Sequence, residues 1–110
     1  MLDDTFLRTM LFDYYGDLLT EKQKEYYDLH YNNDLSLFVI AEQSGTSRQA
    51  VWDIIRRAEQ SLRDIEARTG LVERAVKRRA AAEKIAQSAA TLPEGEAKDT
   101  ILRELKEIID

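Results

Sequence analysis

The sequence contains no cysteine, one proline, four glycines, one tryptophan and one histidine in 110 residues. Without cysteine there are no disulfides, no thiolate zinc sites and no cysteine-based catalysis. So few prolines and glycines leave few places to interrupt a helix, and each can be read as punctuation. No apolar run approaches the roughly 20 residues needed to span a bilayer. The start, Met1-Leu2-Asp3-Asp4, is acidic and lacks the basic opening of a signal peptide. The expectation is a cytoplasmic protein. Catalytic material is equally scarce, with no glycine-rich phosphate loop and no legible nucleophile–base arrangement. The carboxylates of Asp3-Asp4 and of Glu94 and Glu96 fit helix-start charges better than an acid–base pair. His30, among tyrosines, fits packing or hydrogen bonding. No catalytic, metal-binding or cofactor-binding residue is assigned, and the chain is expected to bind rather than catalyse.

What charge there is has an uneven distribution. The net charge is −5, against the basic footprint usual in nucleic-acid binders. Residues 44–79, however, carry nine basic and five acidic side chains, whereas residues 1–43 carry three and nine. A local basic segment can attract phosphate where the global field does not, or its arginines can simply pair with nearby carboxylates.

Apolar residues recur at helical spacing along the whole chain, and no strand pattern competes. Leu2, Phe6, Leu7, Met10, Leu11 and Tyr14 suggest a first helix, capped by Asp3 or Asp4 and ended by a left-handed Gly16. Thr20-Glu21-Lys22-Gln23 reads as a capping box opening a second helix that stops near Asn32-Asn33. Ser36 caps a short third helix, Ser44-Gly45-Thr46 breaks it, and Ser47 caps a long fourth. That helix carries the stripe Val51, Ile55, Ala58, Leu62, Ile65, with Glu59–Arg63 and Asp64–Arg68 as supporting pairs, and ends at Gly70. A fifth helix follows through Ala89. Pro93 is expected as the first residue of a sixth, whose stripe is Ala97, Ile101, Leu102, Leu105, Ile108 and Ile109.

The most specific pattern lies between residues 35 and 57. A helix-turn-helix needs a short helix, a turn of about 3 or 4 residues often holding glycine, and a second helix. Ala41 lets two helices cross closely, Gly45 allows the chain to reverse, and Val51 returns an apolar side chain into the crossing.

Leu19 through Tyr31 and Leu35 through Leu62 resemble the fourth conserved region of sigma-70-type sigma factors. With Leu11 through Thr20 and Ser47-Arg48-Gln49-Ala50-Val51, nearly the whole chain resembles the small YlxM-like helix-turn-helix proteins of Gram-positive bacteria. That resemblance implies an all-α fold: a helix-turn-helix head of about four helices over residues 1–70, sigma region 4-like or winged-helix-like, plus two C-terminal helices over residues 71–110. It also implies a link to the signal recognition particle pathway, because the family is encoded beside that particle's protein component. No segment is left over to serve as a polymerase-binding or promoter-melting domain, so a sigma factor is not expected.

If the fourth helix enters a major groove, its first turns face base edges. Arg48 suits guanine and Gln49 adenine. Ser47 and the amides at the helix start suit a phosphate. Arg56 and Arg57 suit flanking phosphates, or salt bridges on a wet helix. Asp53 would repel phosphate unless it accepts from a cytosine amine. Trp52 can meet a thymine methyl, stack on an unpaired base, anchor a protein partner, or fold against the first or second helix. Two functions follow: a DNA-binding regulator, or an adaptor docking on the protein or RNA of the signal recognition particle. The last helices, with Arg74, Lys77, Arg78 and Arg79 opposite their apolar stripe, suggest a homodimer that sets two recognition helices about 34 Å apart.

Overall fold

The computed structural model describes residues 4–109. Six α-helices follow one another: α1 (Asp4–Tyr15), α2 (Glu21–Tyr27), α3 (Leu37–Ser44), α4 (Arg48–Thr69), α5 (Leu71–Ala89) and α6 (Glu96–Ile109). Among the described residues there is no strand, so the fold is all-α and carries no wing. The chain divides into two compact units, Met1–Gly70 and Leu71–Asp110.

In the first unit the helix ends carry the expected chemistry at most positions. Thr20 and Gln23 form a reciprocal capping box: Thr20 Oγ1 accepts from the Gln23 amide at 3.2 Å, and Gln23 Oε1 accepts from the Thr20 amide at 3.1 Å. Ser36 Oγ accepts from the Val39 amide at 3.1 Å. Gly45 adopts φ 68°, ψ 30°, and the Ala41 carbonyl accepts from the amides of both Gly45 and Thr46. A side chain there would carry the left-handed penalty of about 1–2 kcal/mol. Gly70 closes α4 in the same left-handed way, with φ 63°.

Three local expectations are corrected, and one helix end has an unexpected form. Gly16 is not left-handed; it opens a 3₁₀ turn over Gly16–Leu18. Its requirement is space, since an added Cβ would stand 3.4 Å from the Phe12 ring. The second helical segment stops at Asn32-Asn33 as expected, although after Tyr27 it widens into a π-helical turn over Asp28–Asn32, and the nearby positive φ falls on Asp34 (58°). Asp64 takes a hydrogen bond from Gln60 Nε2 (2.8 Å) in place of the expected Arg68 pair. Asp4 is already helical and supplies first-turn negative charge; Asp3, the other suggested cap, and Leu2 lie outside the described residues.

α4 is the spine of this unit, because α1, α2 and α3 all pack on it. Its line Val51, Ile55, Ala58, Leu62 is entirely buried, with Ile65 half-buried. Leu11, Tyr15, Tyr26, Tyr27, Ile40 and Ala41 complete the core. The Phe12 and Tyr27 rings stack at 5.4 Å, 5° from parallel. Polar links close the rim. Arg8 pairs with Glu59 (Nε to Oε1, 2.5 Å) while its guanidinium lies 4.7 Å over the Tyr31 ring. The Tyr15 hydroxyl donates to Glu66 Oε1 at 2.6 Å and lies 2.5 Å from Thr69 Oγ1.

In the second unit α5 and α6 pack on each other. Its buried side chains are Val72, Ala75, Ala82, Ala89 and Leu105. Pro93 is not the first residue of α6. The helix starts at Glu96, with the Gly95 carbonyl accepting from the Asp99 amide at 3.1 Å, and Pro93 sits exposed in the connection. The expected α6 stripe is covered only in part, for Ile101 and Ile108 stay exposed.

Candidate nucleic-acid interface

The candidate surface begins where α3 hands over to α4. Because Gly45 turns left-handed and Ser47 stays extended (φ −82°, ψ 156°), α4 starts at Arg48. Ser47 Oγ accepts from the Ala50 amide at 3.1 Å, and its carbonyl accepts from the Val51 amide. The amides of Arg48 and Gln49 come earlier in the first turn and have no carbonyl one turn back to bond. Partial positive charge therefore gathers at this end.

Once Val51, Ile55 and Ala58 are pinned inward, the helical period sends Gln49, Asp53, Arg56 and Arg57 outward. Asp53 lies at the centre of that outward face. It is not an isolated repulsive charge: Gln49 Nε2 donates to its Oδ1 at 3.0 Å, and Arg56 Nη2 lies 3.6 Å from the same oxygen. Asp53 thus gathers two of the proposed readers along one ridge. Its charge is partly offset by Arg56, and Gln49 must release it before offering both amide groups to a base. Arg48 and Arg57 are exposed and make no ion pair among the described residues.

Trp52 sits at the rim of this face, 36% exposed. Its ring meets His30 edge-on, centroids 6.5 Å apart and planes at 75°. His30 is itself held by Nδ1 at 2.8 Å from the Leu35 carbonyl, so the end of the α2 segment braces the indole. Of the readings open for Trp52, packing against the second-helix segment is the one observed, while nothing local singles out His30, 22 positions away in the π-helical turn. A second unassigned participant is Leu37. With Ser47, Arg48, Gln49 and Trp52 it lines an open groove of about 490 Å³ at the start of α4. The clue available was an apolar residue in the first turn of α3, three and four positions before Ile40 and Ala41 and so on their side of the helix. Phe38 beside it is 58% exposed.

The remaining aromatic and basic candidates are placed elsewhere. Tyr26 and Tyr27 are core residues, and burial raises the hydroxyl pKa of Tyr27 and, less deeply, of Tyr31. On α5, Lys77 pairs with Glu73 at 3.0 Å and Arg79 with Glu83 at 3.2 Å. Among the described residues no three His, Asp or Glu side chains cluster as metal ligands, and no helix is long and apolar enough to cross a membrane.

The chain is similar to several curated proteins over much or nearly all of its length. A UPF0122 protein of Thermoanaerobacter pseudethanolicus is 42% identical over 108 residues, covering 97% of this chain and 92% of the relative. One from Shouchella clausii is 48% identical over 79 residues, 72% of each chain, and one from Halalkalibacterium halodurans 47% over 78 residues, 71% and 72%. Residues 2–102 match the family described as "Putative helix-turn-helix protein, YlxM / p13 like". The chain therefore belongs to the YlxM/p13-like family of helix-turn-helix proteins.

Proposed function

We propose that this protein is a DNA-binding regulator that lays the first turns of α4 in a major groove. The observation that carries the reading is the division of α4 between two faces. One line is wholly buried on three helices, while Arg48, Gln49, Arg56 and Arg57 stand exposed around a capped N-terminus. Such a helix is held in place by its buried line, so its backbone presents these side chains without moving, and only Gln49 must first leave Asp53. Arg48 reads guanine, and Gln49, once freed from Asp53, reads adenine. Arg56 and Arg57 contact phosphate and fix register, and Ser47 with the first amides holds a further phosphate.

A second reading has its own observation. Leu37, Trp52 and exposed Phe38 give the same region an apolar character that phosphate contacts do not need. That surface suits an adaptor docking on the protein or RNA of the signal recognition particle, the pathway that the family's gene neighbourhood suggests.

The test is recovery of bound nucleic acid from cell extract with purified protein, sequencing DNA and RNA, beside an Arg48→Glu/Arg56→Glu variant. A short DNA motif that the variant loses supports the DNA reading. On that motif Arg48→Ala should cost about 1–3 kcal/mol and relax one base position. Arg57→Ala should weaken all sequences alike and reduce the salt slope by about one. Enrichment of the particle's RNA, or of no nucleic acid above the variant's level, overturns it and favours the adaptor.

A further inference from the structure

The groove at the start of α4 combines two kinds of wall. Arg48 and Gln49 bring hydrogen-bond donors to it, and Leu37 and Trp52 bring apolar surface. Contacts to phosphate or to base nitrogens make no use of the apolar part. Trp52 follows Gln49 by three positions and Arg48 by four, so the three share one side of α4. Along the helix axis the indole stands about 6 Å beyond Arg48. Leu37 joins them from the first turn of α3, which packs on α4, and is half-buried. The indole is braced, because its ring meets that of His30, which is tied in turn to the Leu35 carbonyl.

Two properties of the groove select its occupant. Arg48 lines it and Arg56 stands one turn beyond Trp52, both exposed, so the occupant is anionic. It must also bring acceptors for Arg48 and an apolar group about one helical turn away. Duplex DNA satisfies both at one kind of base. In the major groove thymine presents a C5 methyl group beside its O4 acceptor, whereas guanine, adenine and cytosine present hydrogen-bonding groups there. Uracil, the RNA counterpart of thymine, lacks that methyl group.

We infer that this groove recognises a thymine, with Trp52 and Leu37 enclosing its methyl group within about two base pairs of the guanine read by Arg48. The inference rests on the major-groove reading of α4 and adds to it one base and the two side chains that select it. It gives the apolar wall a role in DNA recognition and makes the site favour DNA over RNA.

Selection of duplexes from a random DNA library by the wild-type chain tests it, followed by replacement of each thymine of the selected duplex with deoxyuridine. The replacement removes one methyl group, keeps base pairing and leaves the protein untouched. At one position it should weaken binding by about fourfold, the effect of uncovering one buried carbon group. Trp52→Ala and Leu37→Ala, each with helicity by circular dichroism unchanged, should bind the thymine duplex more weakly and lose most of that difference. A selected duplex in which every thymine can be replaced without loss overturns the inference and leaves the DNA reading standing. So does sensitivity that either variant retains in full, because another side chain then meets the methyl group. Preference for a single strand over the duplex, or selection of no duplex at all, overturns both.

Discussion

The two units solve the problem of a helical core with different materials. The head around α4 is built from large side chains, with Leu11, Tyr27, Ile40, Val51, Ile55 and Leu62 all at 1% exposure or less. The hairpin of α5 and α6 is built from Val72, three alanines and Leu105. Close-packed large side chains fix one arrangement of helices, and this is what a surface that must present Arg48, Gln49 and Arg56 in register requires. Alanine allows close helix approach but contributes little apolar area, so the hairpin keeps its isoleucines for a surface. The head closes a core of large side chains while leaving Phe6, Leu18, Phe38 and Trp52 at its surface; the hairpin buries mainly alanine and leaves Ile85, Ile101 and Ile108 exposed.

Truncation in the two cores should separate them most strongly. Ile55→Ala removes a fully buried side chain of α4, the helix on which three others pack, and should cost about 2–5 kcal/mol of global stability by denaturant unfolding. Leu105→Ala, set among alanines, should fall at the lower end of that range and raise amide exchange chiefly within residues 71–109. Equal costs at the two sites would break the comparison, showing that the hairpin core is as tightly built as the head.

The turns offer a finer contrast. Gly45→Ala meets no steric obstacle, since nothing lies within 4 Å of the added Cβ, yet φ 68° is unfavourable for alanine. A loss of about 1–2 kcal/mol is expected. Pro93→Ala in the hairpin connection should change stability by less than about 0.5 kcal/mol, because Pro93 precedes α6 and fixes no helical position. A large effect at Pro93 with none at Gly45 would reverse the reading of which turn is defined.

These contrasts also mark what was legible in the sequence. Signals confined to one turn of backbone were readable: Thr20 with Gln23, Ser36, Gly45, Ser47 and Gly70 all act as their spacing indicates. The α4 stripe was equally plain, because period alone determines it. What spacing does not convey is how side chains meet: Gly16 stands against the Phe12 ring, and Trp52, expected to fold against the first or second helix, meets His30 in the π-helical turn, 22 positions away. The ion pair of Arg8 with Glu59 joins residues 51 positions apart, and no local pattern announces it. At the candidate interface the outward residues were legible, but the hydrogen bond from Gln49 to Asp53 was not. It changes Asp53 from an obstacle into the group that orients its neighbours.

Alkaline pH gives the smallest and most selective test of the same division. All five tyrosines belong to the head, and the hairpin has none. Tyr27 is fully buried, and its hydroxyl donates to the Arg8 carbonyl at 3.3 Å. Burial foremost, then the Glu59 charge, raises its pKa in the folded state. In the unfolded chain the phenol titrates near pH 10. Below that pH both states hold the proton and the stabilisation is complete. As pH rises past about 10 the unfolded state loses its proton first, so stability falls until the folded pKa is reached. By pH 11 the loss from Tyr27 should be on the order of 1 kcal/mol, whatever the height of the folded pKa beyond that point. Tyr27→Phe should flatten the stability curve between pH 10 and 11 by that amount, at the cost of one weak hydrogen bond at neutral pH. Amide exchange at pH-matched conditions should place the effect in residues 4–70 and leave residues 71–109 unchanged. An equal response in the hairpin would mean that the two units unfold together, and the contrast between their cores would then describe packing alone.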